Sequence, residues 1–89
     1  NPDKFSLSQN YPNPFNPTTN LEFGISELGF VSLKVYDLVG KEVATLVNEK
    51  LSPGKYIYRF DGVGLPSGVY YYRLTTGEFT ETNSMILLK

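Results

Sequence analysis

The chain has 89 residues, which is enough for one hydrophobic core and too few for two. Its eight basic and nine acidic residues give a net charge of −1 and form no basic stripe, which argues against nucleic-acid binding. It has no histidine and no cysteine, so it lacks the usual zinc and copper ligand sets, cysteine nucleophiles and Ser-His-Asp triads. The composition favours one non-catalytic domain, spanning residues 1–89, that needs no cofactor.

Alternating apolar and polar residues, interrupted by turn residues about every 8–12 positions, indicate short β-strands. Residues 5–7 predict a first short strand, and residues 21–25 and 31–36 predict two strands with one buried face each. A hairpin turn is expected next, because Asp37 can bond its own downstream backbone and Gly40 can take a positive φ.

The fourth predicted strand, residues 41–47, is less regular than the others. Its apolar residues come in two pairs, Val43 with Ala44 and Leu46 with Val47. Either a β-bulge or burial on both faces would explain these pairs. Residues 48–54 predict a polar loop.

Three further strands complete the pattern, at residues 55–60, 69–75 and 79–88. Residues 61–68 are rich in glycine and proline and predict a shaped loop, and residues 75–78 predict a turn. No segment supports an amphipathic helix, and no apolar run is long enough to cross a bilayer. Seven short antiparallel strands predict an all-β, immunoglobulin-like β-sandwich.

Half of the six prolines lie in one segment between the first two strands. This predicted rigid crossover loop consists of Tyr11, Pro12, Asn13, Pro14, Phe15, Asn16 and Pro17. Because proline fixes its own φ and extends the residue before it, a stiff polyproline-like crossover is expected. Tyr11 and Phe15 would pack on the sandwich while the asparagines bond freed backbone groups. The loop would then bridge the two sheets or seal one end of the core.

Several segments, read together, resemble a known family in order and spacing. They are residues 9–19 (QNYPNPFNPTT), 31–40 (VSLKVYDLVG), 42–47 (EVATLV), 51–54 (LSPG) and 65–74 (LPSGVYYYRL), followed by a short apolar end that finishes in Lys89. This set resembles the type A C-terminal sorting domain of the type IX (Por) secretion system of Bacteroidetes-like Gram-negative bacteria. It is also similar to the immunoglobulin-like domain of flagellar hook-capping proteins.

The resemblance implies a role in export rather than in catalysis. Such domains follow the N-terminal cargo domains of exported enzymes and adhesins, which first reach the periplasm. An outer-membrane translocon recognises the domain and passes the protein to the outside or to the cell surface. In many members a sortase-like peptidase then removes the domain. We expect a monomer, and the crossover loop has a second interpretation as a recognition surface for the export receptor.

The resemblance also implies which residues the translocon recognises. They are Gly68, Tyr70, Met85, Ile86, Leu87, Leu88 and Lys89. A strand at a sheet edge presents unpaired backbone groups with which a receptor could pair, and Lys89 would discourage indiscriminate pairing. Each feature also has a structural interpretation. The last strand can be core, Gly68 can satisfy a φ requirement where a strand starts, and Tyr70 can be a buried ring with a bonded hydroxyl.

Two other functions are compatible with the composition. A carbohydrate-binding or adhesive module could use an aromatic surface made of Tyr56, Tyr58, Tyr70, Tyr71 and Tyr72. A structural spacer or capping domain is the other, as the hook-capping similarity suggests. Asp61 could contribute to a weak Ca²⁺ site, although turn bonding is the simpler role for Asp37 and Asp61, because each lies in a turn with glycine nearby.

Overall fold

A computed structural model of the protein describes residues 3–89, and within that range the chain forms seven strands and no helix. The strands are β1 (Ser6–Leu7), β2 (Thr18–Ile25), β3 (Gly29–Tyr36), β4 (Glu42–Leu51), β5 (Gly54–Asp61), β6 (Gly68–Thr76) and β7 (Phe79–Leu87). All pairings between them are antiparallel. The predicted all-β fold and its seven strands are confirmed.

The strands form two sheets that pack face to face as an immunoglobulin-like sandwich. One sheet has the order β1-β2-β5 and the other the order β4-β3-β6-β7. The chain crosses from β4 in the larger sheet to β5 in the smaller one through only Ser52 and Pro53. Four strands therefore lie at sheet edges, namely β1, β5, β4 and β7.

The core lies between the sheets and follows the alternation of the sequence. Leu21, Phe23 and Ile25 of β2 face the alternate residues Val31, Leu33 and Val35 of β3, and all six are buried. The remaining buried apolar side chains are Leu7, Phe15, Val47, Phe60, Tyr70, Tyr72, Leu74, Met85 and Leu87. Burial of apolar surface at about 25 cal/mol per Å² is the main stabilising contribution available to a chain without disulfides.

Strand β4 contains two irregularities that explain its paired apolar residues. The β3–β4 register shifts once between Leu33 and Lys34 and again between Val35 and Tyr36. Each shift leaves one residue of β4 unmatched, Leu46 in the first case and Val43 in the second. The sequence left a bulge and two-sided burial open, and the register shifts favour the bulge.

The prediction of a polar loop at residues 48–54 is wrong for most of this range. Asn48, Glu49 and Lys50 continue β4 and pair with Ser32, Val31 and Phe30 of β3. These three side chains are exposed because β4 is an edge strand. These side chains are therefore polar because they are exposed to solvent, and not because the strand has ended.

The two aspartates proposed for turns occupy those turns. Asp37 Oδ1 accepts the backbone N–H groups of Val39 at 3.0 Å and Lys41 at 2.9 Å. Gly40 has a φ of +89° in the same turn, as expected. Asp61 Oδ1 accepts the N–H of Val63 at 3.0 Å. Turn bonding thus accounts for both carboxylates.

The proline-rich crossover differs from the expected polyproline-like shape. Residues 12–14 and 16–17 are bends, and between them Phe15 forms a bridge to Leu87, while Tyr11 forms one to Asn20. Phe15 packs into the core as expected. Tyr11 does not, since 78% of its surface is exposed. The segment connects the two sheets because Tyr11 contacts β2 and Phe15 contacts β7.

Candidate functional site

The site residues implied by the resemblance come together at one end of the sandwich. In the β6–β7 ladder Gly68 lies opposite Leu87 and Tyr70 lies opposite Met85. Just beyond β7, the Lys89 backbone N–H donates to Ser67 Oγ at 3.0 Å, and its side-chain ammonium donates to the carbonyl of Val63. The β5–β6 loop therefore holds the last residues of this chain in place.

Gly68 begins β6 with a backbone conformation that other residues rarely adopt. Its φ is +152°, and no atom lies within 4 Å of the position that a Cβ would occupy. The requirement for glycine is therefore one of backbone conformation and not of space.

We expect Gly68→Ala to lower the free energy of unfolding by about 1–2 kcal/mol, because alanine is strained at this φ. Gly64→Ala is the matched control, since Gly64 lies in the same loop with no such φ and equally open surroundings. Urea titration of both variants measures the difference. Equal stability of the two variants would contradict a conformational role for Gly68.

Tyr70 has the structural role that the sequence allowed. Its ring is buried, and its hydroxyl donates to the carbonyl of Pro66, four residues upstream, at 2.6 Å. A tyrosine near the start of this strand that bonds back across the preceding connection is a known feature of immunoglobulin-like sandwiches. Tyr70 thus fixes the β5–β6 loop that in turn holds Lys89.

The last strand presents two different faces. Met85 and Leu87 point inward and are fully buried, so these two belong to the core. Ile86 and Leu88 are 39% and 52% exposed, and Lys89 is exposed as well. Of the five terminal residues implied by the resemblance, only these three offer side chains to a partner.

The outer edge of β7 is covered near the C-terminal end of the strand. The prediction that its backbone groups are unpaired is wrong there. Ile86 accepts the Phe15 N–H at 2.8 Å through its carbonyl, and the Phe15 carbonyl accepts the N–H of Leu88 at 2.9 Å. Asn13 Oδ1 accepts the N–H of Ile86 at 3.0 Å. Gln9 Nε2 donates to the carbonyl of Ser84 at 2.8 Å. We call residues 9–15 the edge cover.

The composition of the edge cover explains how it reaches β7. Pro12 and Pro14 have no N–H to donate, and both flank Asn13, whose side-chain carbonyl serves as the acceptor for Ile86. The expectation that asparagines of this segment bond backbone groups is confirmed for Asn13. The expectation that the segment bridges the sheets is also met, with the added result that it pairs with the last strand.

Tyr72 holds the start of the edge cover, a role that no local pattern in the sequence predicts. Its hydroxyl donates to the carbonyl of Ser8 at 2.7 Å and accepts the N–H of Asn10 at 2.7 Å. Asn83 Nδ2 approaches the same oxygen at 3.3 Å. The alternation of β6 predicts that Tyr72 is buried, but Ser8 and Asn10, the two closer partners of its hydroxyl, lie more than 60 residues away in sequence.

Burial raises the pKa of Tyr72 above the usual 10.0, and the hydrogen bonds from Asn83 and Asn10 only partly offset this effect. The folded protein therefore holds the phenolic proton more tightly than the unfolded chain does. Its contribution to stability is complete below pH 10 and is lost as the pH rises through the folded pKa.

We therefore expect the free energy of unfolding to fall with increasing pH above about 10. Tyr72→Phe should show a shallower decline. Some decline will remain because burial also raises the pKa of Tyr58. Urea titrations across this alkaline range measure both curves. Identical slopes for the two proteins would contradict the assignment to Tyr72.

The five tyrosines considered for sugar binding do not share one surface. Tyr70 and Tyr72 are buried, and Tyr71 alternates with them onto the outer face of the larger sheet. Tyr56 and Tyr58 belong to the smaller sheet, where they stack on Phe23 with centroid distances of 5.4 and 5.7 Å. These rings do not form an aromatic platform.

By class, the protein is a small immunoglobulin-like β-sandwich whose last strand is held in place by the edge cover. Within residues 3–89 no three acidic side chains approach closely enough to hold a metal ion, and no helix is long and apolar enough to cross a membrane. The chain belongs to the family of secretion system C-terminal sorting domains, whose family model matches residues 9–88.

This membership confirms the type IX sorting domain expected from the sequence. Members are sorting signals for exported proteins and not enzymes, so the non-catalytic interpretation is also confirmed. No curated protein and no solved structure matched the chain.

Proposed function

We propose that this domain directs a larger protein from the periplasm through the outer-membrane type IX translocon to the cell surface. The observation that carries the proposal is the arrangement of the last residues on a fixed frame. Ile86, Leu88 and Lys89 are exposed next to the edge cover, while the backbone between them is already hydrogen-bonded. The translocon would then recognise these side chains in the folded domain, and not a free strand edge.

Rigidity of this surface favours recognition. The edge cover holds β7 on one side, and the β5–β6 loop holds Lys89 through Ser67 and Val63. A partner that binds a surface already held in shape loses less conformational entropy on association. Gly68 and Tyr70 would contribute indirectly, by shaping the loop that positions Lys89.

The test is a fusion of the domain behind a periplasmic reporter in a bacterium that carries the secretion system. We expect Leu88→Asp to reduce export of the reporter by about tenfold or more, because it places a charge in an apolar contact. Leu28→Asp is the matched control, since Leu28 is a similarly exposed leucine, at 61%, in the β2–β3 connection at the other end of the sandwich. Urea titration checks that both variants remain folded.

Two results would contradict the proposal. Equal export of the reporter with and without the domain would exclude a sorting function for this chain. Equal export of the Leu88→Asp and Leu28→Asp fusions would exclude recognition at the terminal residues while leaving the sorting function intact. The first arm thus tests the function and the second tests the site.

The remaining parts of the proposal concern the partners. We infer cargo domains on the N-terminal side, removal of the domain by a sortase-like peptidase after export, and a monomeric state before recognition. Each part follows from the family resemblance. Intact mass measurement of the exported fusion distinguishes a removed domain from a retained one, and light scattering determines the oligomeric state.

A further inference from the structure

The four edge strands of the sandwich are not equally protected against pairing with another chain. Strand β1 has only two residues, β4 carries two register shifts, and β7 is covered by residues 9–15. Short length, bulges, covering segments and charged side chains are the usual ways in which proteins protect sheet edges. Strand β5 lacks the first three and carries only the charges of Lys55 and Arg59. It pairs with β2 from Gly54 to Asp61 without a register shift.

The outer backbone groups of β5 can be assigned from the alternation of an antiparallel ladder. Asn20 and Glu22 of β2 direct their backbone groups away from β5, because Asn20 bonds Tyr11 and Glu22 bonds Ser8. Their β5 partners, Arg59 and Ile57, therefore direct their own N–H and C=O groups away from β2. Lys55 does the same by alternation. Within residues 3–89 no hydrogen bond reaches these outer groups.

The side chains of the same three residues form a pattern of charge around an apolar residue. Ile57 is 66% exposed, and Lys55 and Arg59 are exposed on the same face on either side of it. Across the part of the chain that the structure covers, the one ion pair joins Lys34 and Glu42. The two cations of β5 therefore form no ion pair in the described residues, and the one carboxylate next to them on this face is that of exposed Glu22, opposite Ile57.

We propose that β5 accepts an extended segment of another protein as an additional strand, and that this segment carries acidic residues at alternate positions around an apolar one. Main-chain hydrogen bonds would provide affinity, and pairing of the two acids with Lys55 and Arg59 would provide specificity. The proposal goes beyond export and does not depend on the translocon.

Charge also argues against a second copy of this chain as the partner. In the centred antiparallel register two copies would place Ile57 opposite Ile57 and Lys55 opposite Arg59. Like charges directly opposite each other destabilise a strand pair. The two cations therefore discourage self-association while remaining complementary to an acidic strand.

The test uses a synthetic peptide in which two glutamates flank a valine at alternate positions, titrated into the labelled domain and followed by NMR. We expect chemical-shift changes concentrated in residues 54–61 and an affinity that falls with added salt. A peptide with lysines in place of the glutamates should not bind. Absence of binding by the glutamate peptide, or shifts concentrated on β4 or β7, would overturn the proposal.

Two variants separate strand addition from simple charge attraction. Ile57→Pro removes an outward N–H without removing a β2–β5 hydrogen bond, so the domain should fold and bind about tenfold more weakly or worse. Ile57→Thr, which keeps the N–H, is its control. Unchanged affinity of Ile57→Pro would overturn the proposal.

The double variant Lys55→Glu with Arg59→Glu should no longer bind the glutamate peptide and should bind the lysine peptide. This exchange of preference remains measurable even if the proline variant does not fold. Failure to exchange would overturn the assigned register and partner.

Discussion

Replacing Phe15 by alanine is expected to lower the free energy of unfolding by about 3–5 kcal/mol, which is the usual cost of truncating a buried phenylalanine. Phe15 is only 1% exposed, and its ring packs edge-on against the ring of Phe60, with the two centroids 6.0 Å apart. Its backbone also forms the bridge between the edge cover and β7. A small domain has a total stability of about 5–15 kcal/mol, so this single change removes a large part of it.

Tyr11→Ala is the matched control for this prediction. Tyr11 is an aromatic residue of the same segment, but it is mostly exposed and its backbone bridge to Asn20 does not depend on the ring. We expect a change within about 0.5 kcal/mol. Urea titration of both variants provides the comparison. Similar losses for the two would show that the segment is not anchored through Phe15.

The second large effect is expected from Tyr72→Phe, which should cost about 1–3 kcal/mol although it removes only one oxygen atom. The loss leaves the N–H of buried Asn10 without its acceptor, while the carbonyl of Ser8 keeps Asn83 Nδ2 as a donor at 3.3 Å. A buried donor without an acceptor incurs its full desolvation cost. Amide hydrogen exchange at Asn10 should become faster in the variant.

Tyr70→Phe is the comparison for Tyr72→Phe. The Tyr70 hydroxyl has one partner, the carbonyl of Pro66, in a part-buried position, so its removal should cost about 0.5–1.5 kcal/mol. Exchange at Asn10 should not change in this variant. If Tyr70→Phe destabilises the domain more than Tyr72→Phe does, the link between β6 and the edge cover is less important than the β5–β6 corner.

The strands could be predicted because their signal is local. In β3 and β6 each buried residue is two positions from the next, and in β2 the same holds once glycine, which has no side chain, is set aside; this period identifies the inward face. Turn residues such as Asp37 and Gly40 satisfy their requirements within four residues of chain. For these strands and this turn the determining interaction is short in sequence, and the expectation and the structure agree.

The misinterpreted features depend on partners that are distant in sequence or on position in the sheet. Asn13 and Ile86 are 73 residues apart, and no local pattern indicates that one covers the other. Tyr11 and Phe15 are both aromatic residues next to proline, yet only the position of β7 decides which ring is buried. The polar end of β4 differs from the prediction for a related reason, because β3 covers only one of its edges and the other is exposed.

Pairing between the edge cover and β7 makes this surface depend on synthesis of the chain through β7 and Leu88. The groups that residues 9–15 bond, from Ser84 to Leu88, are synthesised some seventy residues after them. A polypeptide broken off before Ile86 would leave the side-chain carbonyl of Asn13 without its donor, and the backbone of Phe15 without its acceptor and its donor. If the translocon recognises this surface, as proposed above, molecules truncated before Ile86 would lack the surface that it binds.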